Sequence, residues 1–362
     1  MSPDESLPKP EATVADQQAG PRPVRGRLAP SPTGPQHVGN ARTYLLTWLS
    51  TRLQNGELVM RIEDLDSSRV RQGADEQAVE DLHWLGLEWD FGPGGNRDLP
   101  AGELLPGKDR AGLSGLSVDI VDSWVQSQRT EIYQRYFSKL QDAGCVYPCT
   151  CTRKEILQAA SAPNLGDEGP IYPGTCRQQT LPLENDYCWR FRVDDQSHAF
   201  QDQVQGTVTC DLAQQLGDFI VARKNGDFAY QLAVTIDDHL MGITEVVRGD
   251  DLILSTFRQG EIYRHFGWTV PRYAHVPLVF GDDGRRLAKR NGSIRLQEFR
   301  QQQATPERLV GILAHSCGLI PQPTPISTAD LLQHCRSLGW ESFWKSLPRE
   351  PFETSAQTWR WD

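Results

Sequence analysis

Eleven consecutive residues, Pro30-Ser31-Pro32-Thr33-Gly34-Pro35-Gln36-His37-Val38-Gly39-Asn40, join a strand-like run to a stretch with helical spacing. A turn from a strand's carboxyl end to a helix's amino end gathers unpaired N–H groups and the positive end of the helix dipole, which suits a phosphate. His37 can donate to a phosphate oxygen, and Gly39, lacking Cβ, admits a flat base or ribose. From spacing alone, a plain turn with His37 on the surface fits equally well. A second set, Arg285-Arg286-Leu287-Ala288-Lys289-Arg290-Asn291-Gly292, is a compact basic loop beside Asp282-Asp283-Gly284. It reads as a polyphosphate clamp that closes as charge builds, or as a solvated charged turn. The third set is Cys149-Thr150-Cys151 followed by Tyr172-Pro173-Gly174-Thr175-Cys176. Three thiols and a phenol suit tetrahedral Zn²⁺. Cys145 or Cys188 are alternative donors to Tyr172, and free cysteines are the other reading.

The elements that must position these residues alternate between strand and helix, which gives an α/β architecture. A strand from Arg25, a helix over Asn40 to Gln54 striped by Leu45, Trp48, Leu49 and Leu53, and a strand over Glu57 to Ile62 read as one βαβ unit. Helices follow at Asp75 to Leu85, Arg129 to Ala143, Leu252 to Phe266 and Pro306 to Leu319. Strands are expected at 187–193, 217–223 and 244–249. Pro321 to Pro325 closes the last recognisable segment. Residues 92–116, with seven glycines and three prolines, read as a surface insertion. Four of the ten tryptophans, Trp340, Trp344, Trp359 and Trp361, fall in the last 23 residues and are read as packing.

Composition narrows the classes. The 362 residues predict about two domains. Met1 to Arg25 holds five prolines and four acidic residues with no apolar stretch, so it reads as a flexible arm and not as a secretory signal. No run reaches the roughly 18 apolar residues of a membrane span. A net charge of −10 excludes a uniformly basic nucleic-acid coat but allows a local basic stripe. Eight cysteines are too sparse for a disulfide scaffold, which favours a reducing, cytoplasmic setting.

RLAPSPTGPQHVGN (27–40) resembles the first signature of class I glutamyl-tRNA synthetases, and RRLAKRNG (285–292) resembles their lysine-bearing second signature. RIEDLD (61–66), QSQR (126–129), GDFAYQLAVTIDDHLMGITEVVRGDDL (226–252) and YAHVPL (273–278) are similar to that family's core, in its order. The resemblance covers about 25–292. It implies a Rossmann-type catalytic domain that uses ATP with Mg²⁺ to activate L-glutamate as glutamyl-adenylate. By the same resemblance Arg27, Leu28, Ala29, Pro30, Ser31, Glu63, Tyr230 and Arg248 bind glutamate, with Glu63 facing the α-ammonium. His37, Gly39, Asn40 and Lys289 bind ATP, and His37 and Lys289 stabilise the phosphates in the transition state. Arginines suit the task because a guanidinium grips a carboxylate bidentately. The chemistry needs no covalent nucleophile, so His83, His239 and His275 are read as core or surface histidines. The departures are Asn40 in place of His, and Arg286 and Ala288 in place of Lys and Ser.

The set Cys149, Cys151, Tyr172 and Cys176 resembles the structural zinc site of short paralogues in this family, the glutamyl-Q tRNA(Asp) synthetases. Only 73 residues follow Lys289, too few for the family's anticodon-binding domains. The resemblance therefore implies transfer of glutamate to queuosine in the anticodon stem-loop of tRNA(Asp). The alternatives are a truncated synthetase charging a tRNA 3′ end and an inactive glutamate- or ATP-binding paralogue. The expected organisation is an arm at 1–23, catalytic halves at 24–144 and 211–292, a zinc-bearing acceptor insert at 145–210, and a helical C-terminal part at 293–362. The expected partners are L-glutamate, ATP and the tRNA, with no membrane and a monomeric chain.

Overall fold

The computed structural model describes residues 23–97, 113–159, 170–179, 187–280 and 295–353. Nearly all of the arm, most of the 92–116 insertion, Trp359, Trp361 and the loop carrying Lys289 lie outside the described residues.

β1 (Arg25–Leu28) and β2 (Glu57–Met60) are parallel and joined by α1 (Val38–Leu53), the expected βαβ unit. Strand and helix approach closely because residue 26 is glycine: a Cβ there would collide with Thr51 Oγ1. α1 buries Leu45, Leu46 and Leu49, and the chain reverses after it through Asn55 in a left-handed conformation (φ 51°). α2 (Ala74–Trp84), α3 (Val118–Val121) and α4 (Thr130–Asp142) follow. The amphipathic α4 buries Ile132, Tyr133, Tyr136, Phe137 and Leu140 along one face.

The next stretch holds β3 (Val146–Cys149), α5 (Arg153–Ala159), β4 (Cys188–Phe191), the hairpin β5 (Ser197–Asp202) and β6 (Gly206–Asp211), α6 (Leu212–Gln215) and β7 (Phe219–Ala222). Its strand pairing crosses residue 210 in both directions. β7 completes an antiparallel sheet with β3 and β4, whereas β5 adds to the catalytic sheet through Asp202 opposite Tyr273. The catalytic sheet resumes with α7 (Tyr230–Leu240), β8 (Glu245–Gly249), α8 (Ile253–His265) and β9 (Arg272–Val276), β8 and β9 being parallel. The two parallel pairs are tied where Thr244 N–H donates to Arg25 O at 2.9 Å.

After β10 (Val279–Phe280) come α9 (Leu296–Gln301), α10 (Pro306–Ser316), α11 (Thr328–Leu338), α12 (Trp340–Ser346) and β11 (Phe352–Glu353). The last helices lie beyond the Pro321–Pro325 stretch and belong to the first core. Leu313, Leu331, Cys335, Phe343 and Trp344 pack with Leu45 and Leu49 of α1. A second core joins α4, α7 and α8 to Phe191 and Phe219 of the neighbouring sheet. Among the described residues no helix is long and apolar enough to cross a membrane.

Candidate active site

Ligands of open parallel sheets sit outside the strands' carboxyl ends, where the connections diverge to opposite faces. A cavity of about 580 Å³ opens there, between the ends of β1, β8 and β9. Its lining brings together Arg27, Ala29, Ser31, His37, Gly39, Asn40, Glu63, Tyr230 and Arg248. Leu28 and Pro30 are not in the lining: Leu28 is in the core, and the carbonyls of the two residues accept from Arg61 N–H and Glu63 N–H. Those bonds lock the signature turn to the segment after β2 that carries Glu63.

His37 caps α1, with its Nδ1 accepting from the Asn40 N–H at 3.3 Å. Nδ1 is therefore the acceptor, and the neutral ring carries its hydrogen on Nε2, the arrangement needed to donate to a phosphate oxygen. Gly39 has a local reason to be glycine, because a Cβ would come within 3.1 Å of the His37 ring. Leu296 N–H donates to Gln36 O at 2.9 Å and Arg295 bridges to His37, so the chain after the basic loop returns to this turn.

Beneath the cavity lies a buried ionic network. Arg61 Nη1 meets Asp238 at 2.7 Å and Nη2 meets Glu63 at 2.9 Å, while Arg27 Nε stands 3.5 Å from Asp238. Asp237 accepts from Arg129 Nε at 2.8 Å, the Tyr133 hydroxyl at 2.8 Å and Gln126 Nε2 at 2.9 Å. Three guanidiniums thus face three carboxylates, so burial is compensated internally. Burial pushes the Glu63 carboxyl above its usual range, and Arg61 and Arg27 pull it back. Burial likewise raises the Tyr230 hydroxyl, keeping it a neutral donor.

Of the lining arginines, Arg27 and Arg248 are the buried pair, and they differ. Arg27 spends one Nη1–H on Val247 O at 3.3 Å. Arg248 donates from Nε to His275 Nε2 (3.1 Å), from Nη1 to Gln259 Oε1 (3.0 Å), and from Nη2 to Thr256 Oγ1 (2.6 Å) and Leu252 O (3.3 Å). Four of its five N–H groups are committed, so Arg27 is the better bidentate fork and Arg248 offers charge and one N–H.

The cysteine cluster lies apart, at the β3–β4 ladder. Cys149, Cys151 and Cys176 place their sulfurs within 4.8 Å of one another. The Tyr172 oxygen is 3.3 Å from Cys149 Sγ and 3.6 Å from Cys151 Sγ, and it accepts the Cys176 N–H at 2.7 Å. Cys188 pairs across the ladder with Cys149 and donates to its carbonyl, and Cys145 contacts His265 instead, so neither displaces Tyr172. Buried Arg190 donates to Cys149 Sγ at 3.3 Å and covers the Tyr172 ring at 3.8 Å. Hydrogen bonds from Cys188, Tyr172 and Arg190 hold the Cys149 thiol down at about 4, while burial holds Cys151 up at about 11. This donor set fits a metal ion.

Residues 23–322 match the catalytic domain of class I tRNA synthetases (E and Q). Over 341 residues the chain is 43% identical to the glutamyl-Q tRNA(Asp) synthetase of Rhodopirellula baltica, spanning 90% of this chain and 94% of that protein. The chain belongs to the glutamyl-Q tRNA(Asp) synthetases. A glutamate–tRNA ligase 2 of Syntrophus aciditrophicus is 38% identical, but only 56% of its length is covered. The crystal structure of a glutamate tRNA ligase from Elizabethkingia meningosepticum in complex with its amino acid shares the fold, with a TM-score of 0.71 over 93% of this chain and 68% of that one, at 23% identity. The architecture is thus the α/β catalytic fold of class I synthetases, and the chain is a ligase of this family.

Reading the sequence alone missed the support beneath these residues. Arg61, Gln126, Arg129, Asp237 and Asp238 all lie in strings that resemble the family, but spacing assigns them no partners. His83 and His239 stack on Trp89 and Trp268 as core or surface residues would. His275 is fully buried and holds Arg248.

Proposed function

We propose that the chain, a cytoplasmic monomer, uses ATP with Mg²⁺ to activate L-glutamate without tRNA and then passes the glutamate to queuosine at the wobble position of tRNA(Asp). The observation that carries this reading is a cavity whose lining brings together Arg27, Arg248, Glu63, Tyr230 and the helix terminus capped by His37. Arg27 grips a glutamate carboxylate, Arg248 adds charge and one N–H, and Glu63 with Tyr230 receives the α-ammonium. Gly39 and Asn40 lie along the ATP. The α-carboxylate oxygen attacks the α-phosphorus, and the bond to pyrophosphate breaks as the new P–O bond forms. His37 and Lys289 stabilise the charge on the phosphates. Support for Lys289 comes from its flanks: Val279 lines the cavity and Arg295 bridges to His37. A cyclopentene hydroxyl of queuosine then attacks the activated carbonyl carbon, AMP leaves, and the hydroxyl proton is released.

Cys149, Cys151, Tyr172 and Cys176 would hold one Zn²⁺ that staples the insert. Three thiolate charges against Arg190 leave two negative charges, which a divalent cation balances with Tyr172 neutral.

Glutamate-dependent ATP–pyrophosphate exchange in the absence of tRNA tests the first step. Labelled glutamate should then appear, in an alkali-labile linkage, on a queuosine-bearing anticodon stem-loop and not on one carrying guanosine. Label that requires the 3′ terminal adenosine and ignores queuosine would make the chain an aminoacylating synthetase. Metal analysis should find about one zinc per chain, lost in Cys176→Ser; no zinc in the parent overturns the metal reading.

A further inference from the structure

We propose that Asp202 and His275 are positioning residues for amino-acid recognition: the carboxylate fixes the imidazole tautomer, and the imidazole in turn fixes the Arg248 guanidinium in the cleft. The inference rests on the proposed glutamate site. It begins with the β5–β6 hairpin, whose last β5 residue, Asp202, is set against β9.

Asp202 is fully occupied as an acceptor. Its oxygens receive the backbone N–H of Val204 and Gln205, both at 2.9 Å, and that of His275 at 3.1 Å. His275 Nδ1 stands 2.7 Å from Oδ2, and both side chains are completely buried. A carboxylate with only donors around it has no hydrogen to give, so Nδ1 must carry one. Nε2 is then a bare lone pair, which the Arg248 Nε–H meets at 3.1 Å and the Thr256 hydroxyl at 3.0 Å. Burial holds the imidazole pKa down at about 4, so the ring stays neutral beside the guanidinium. Tyr273 closes the arrangement, its ring stacked at 11° on His275 and 5.1 Å from the Arg248 guanidinium carbon.

The opposite tautomer would set Nε2–H against Nε–H, two donors with no acceptor between them, in a site without solvent to absorb the mismatch. Arg248 would have to turn, and the single N–H it offers to the cavity would turn with it. A tautomer chosen by a residue of the inserted hairpin therefore controls the geometry of the amino-acid site. This differs from catalysis by His275, which touches none of the cavity lining except Arg248 in the described contacts.

The test uses the full chain. In Asp202→Asn the amide presents both a donor and an acceptor to Nδ1, so the tautomer is no longer dictated. The glutamate KM in pyrophosphate exchange should rise about tenfold, the scale of one charge-assisted hydrogen bond, with kcat and the ATP KM within about twofold. Discrimination against glutamine should fall by a similar factor. Independently of folding in any variant, two-bond ¹H–¹⁵N spectra of the histidine-labelled parent should show His275 protonated at Nδ1 alone. A parent-like glutamate KM in folded Asp202→Asn, or an Nε2–H tautomer in the parent, overturns the positioning role while leaving the proposed activity standing. A parent without glutamate-dependent exchange overturns that activity and this assignment with it.

Discussion

The cleft and the cysteine cluster both bury a guanidinium against anions, yet they balance charge in opposite ways. Beneath the cleft, Arg27, Arg61 and Arg129 face Glu63, Asp237 and Asp238, and those charges balance within the protein, while Arg248 above them has only neutral partners. In the cluster, Arg190 faces three thiols, and once these ionise the account closes only with a divalent cation. The cleft thus rests on a charge-balanced frame and can receive a substrate bearing both signs of charge. The cluster is a site whose order depends on its ligand.

This contrast predicts where each region breaks. Asp237→Ala should have the largest effect on stability. It strips Arg129, Tyr133 and Gln126 of their shared acceptor, leaving a buried guanidinium uncompensated at a cost of about 3–5 kcal/mol. Urea denaturation checks it, and a loss under about 1 kcal/mol would mean the charge balance of the frame does not depend on Asp237.

The neutral member of the cleft gives a pH signature. The folded pKa of His275, about 4, lies below its ordinary 6.5. Between these values the unfolded chain binds more protons, so stability is full above about pH 6.5 and falls as pH drops toward 4. Over pH 7 to 5 the His275 share is about 2 kcal/mol, from about 1.4 kcal/mol per pKa unit. His275→Gln, compared with the parent by urea midpoints at both pH values, should lose that share of the slope. An unchanged slope would mean the ring is not buried neutral.

How far the two regions were legible in the sequence follows from their sequence span. The cluster runs from Cys149 to Cys176, and thiols close in sequence announce themselves by spacing. In the cleft, Arg27, Ser31, His37 and Gly39 are equally visible because they share one strand–turn–helix. Asp202, Thr256 and Gln259 are not, since each matters only after β5, α8 and β9 have been brought together around Arg248. The same cause blurs the insert boundary. β7 follows residue 210 in sequence, but its buried Phe219 stacks on Phe191 of β4, and no local pattern reports a partner 28 residues away. In α11 and α12, Leu331, Cys335, Phe343 and Trp344 form short apolar faces whose partner, α1, lies nearly 300 residues earlier.

The smallest expected effect sharpens the comparison from the cluster's side. Arg190 donates through Nε to Cys149 Sγ, through Nη1 to Asp218 O at 2.9 Å, and lies over the Tyr172 ring. It therefore touches two of the four proposed ligands without being one. Arg190→Met keeps the apolar bulk and a soft contact to the ring but removes the positive charge, leaving three thiolates and a divalent cation with a net negative charge in a buried site. The metal should still bind, because all four donors remain, yet its affinity should fall about tenfold, the lower end of what loss of a supporting contact costs. Zinc transfer to a chromophoric chelator, measured as an equilibrium on the intact protein, reads this directly. Were zinc held as tightly as in the parent, charge compensation by Arg190 would be dispensable, and the cluster, like the cleft, would have to be regarded as balanced without it.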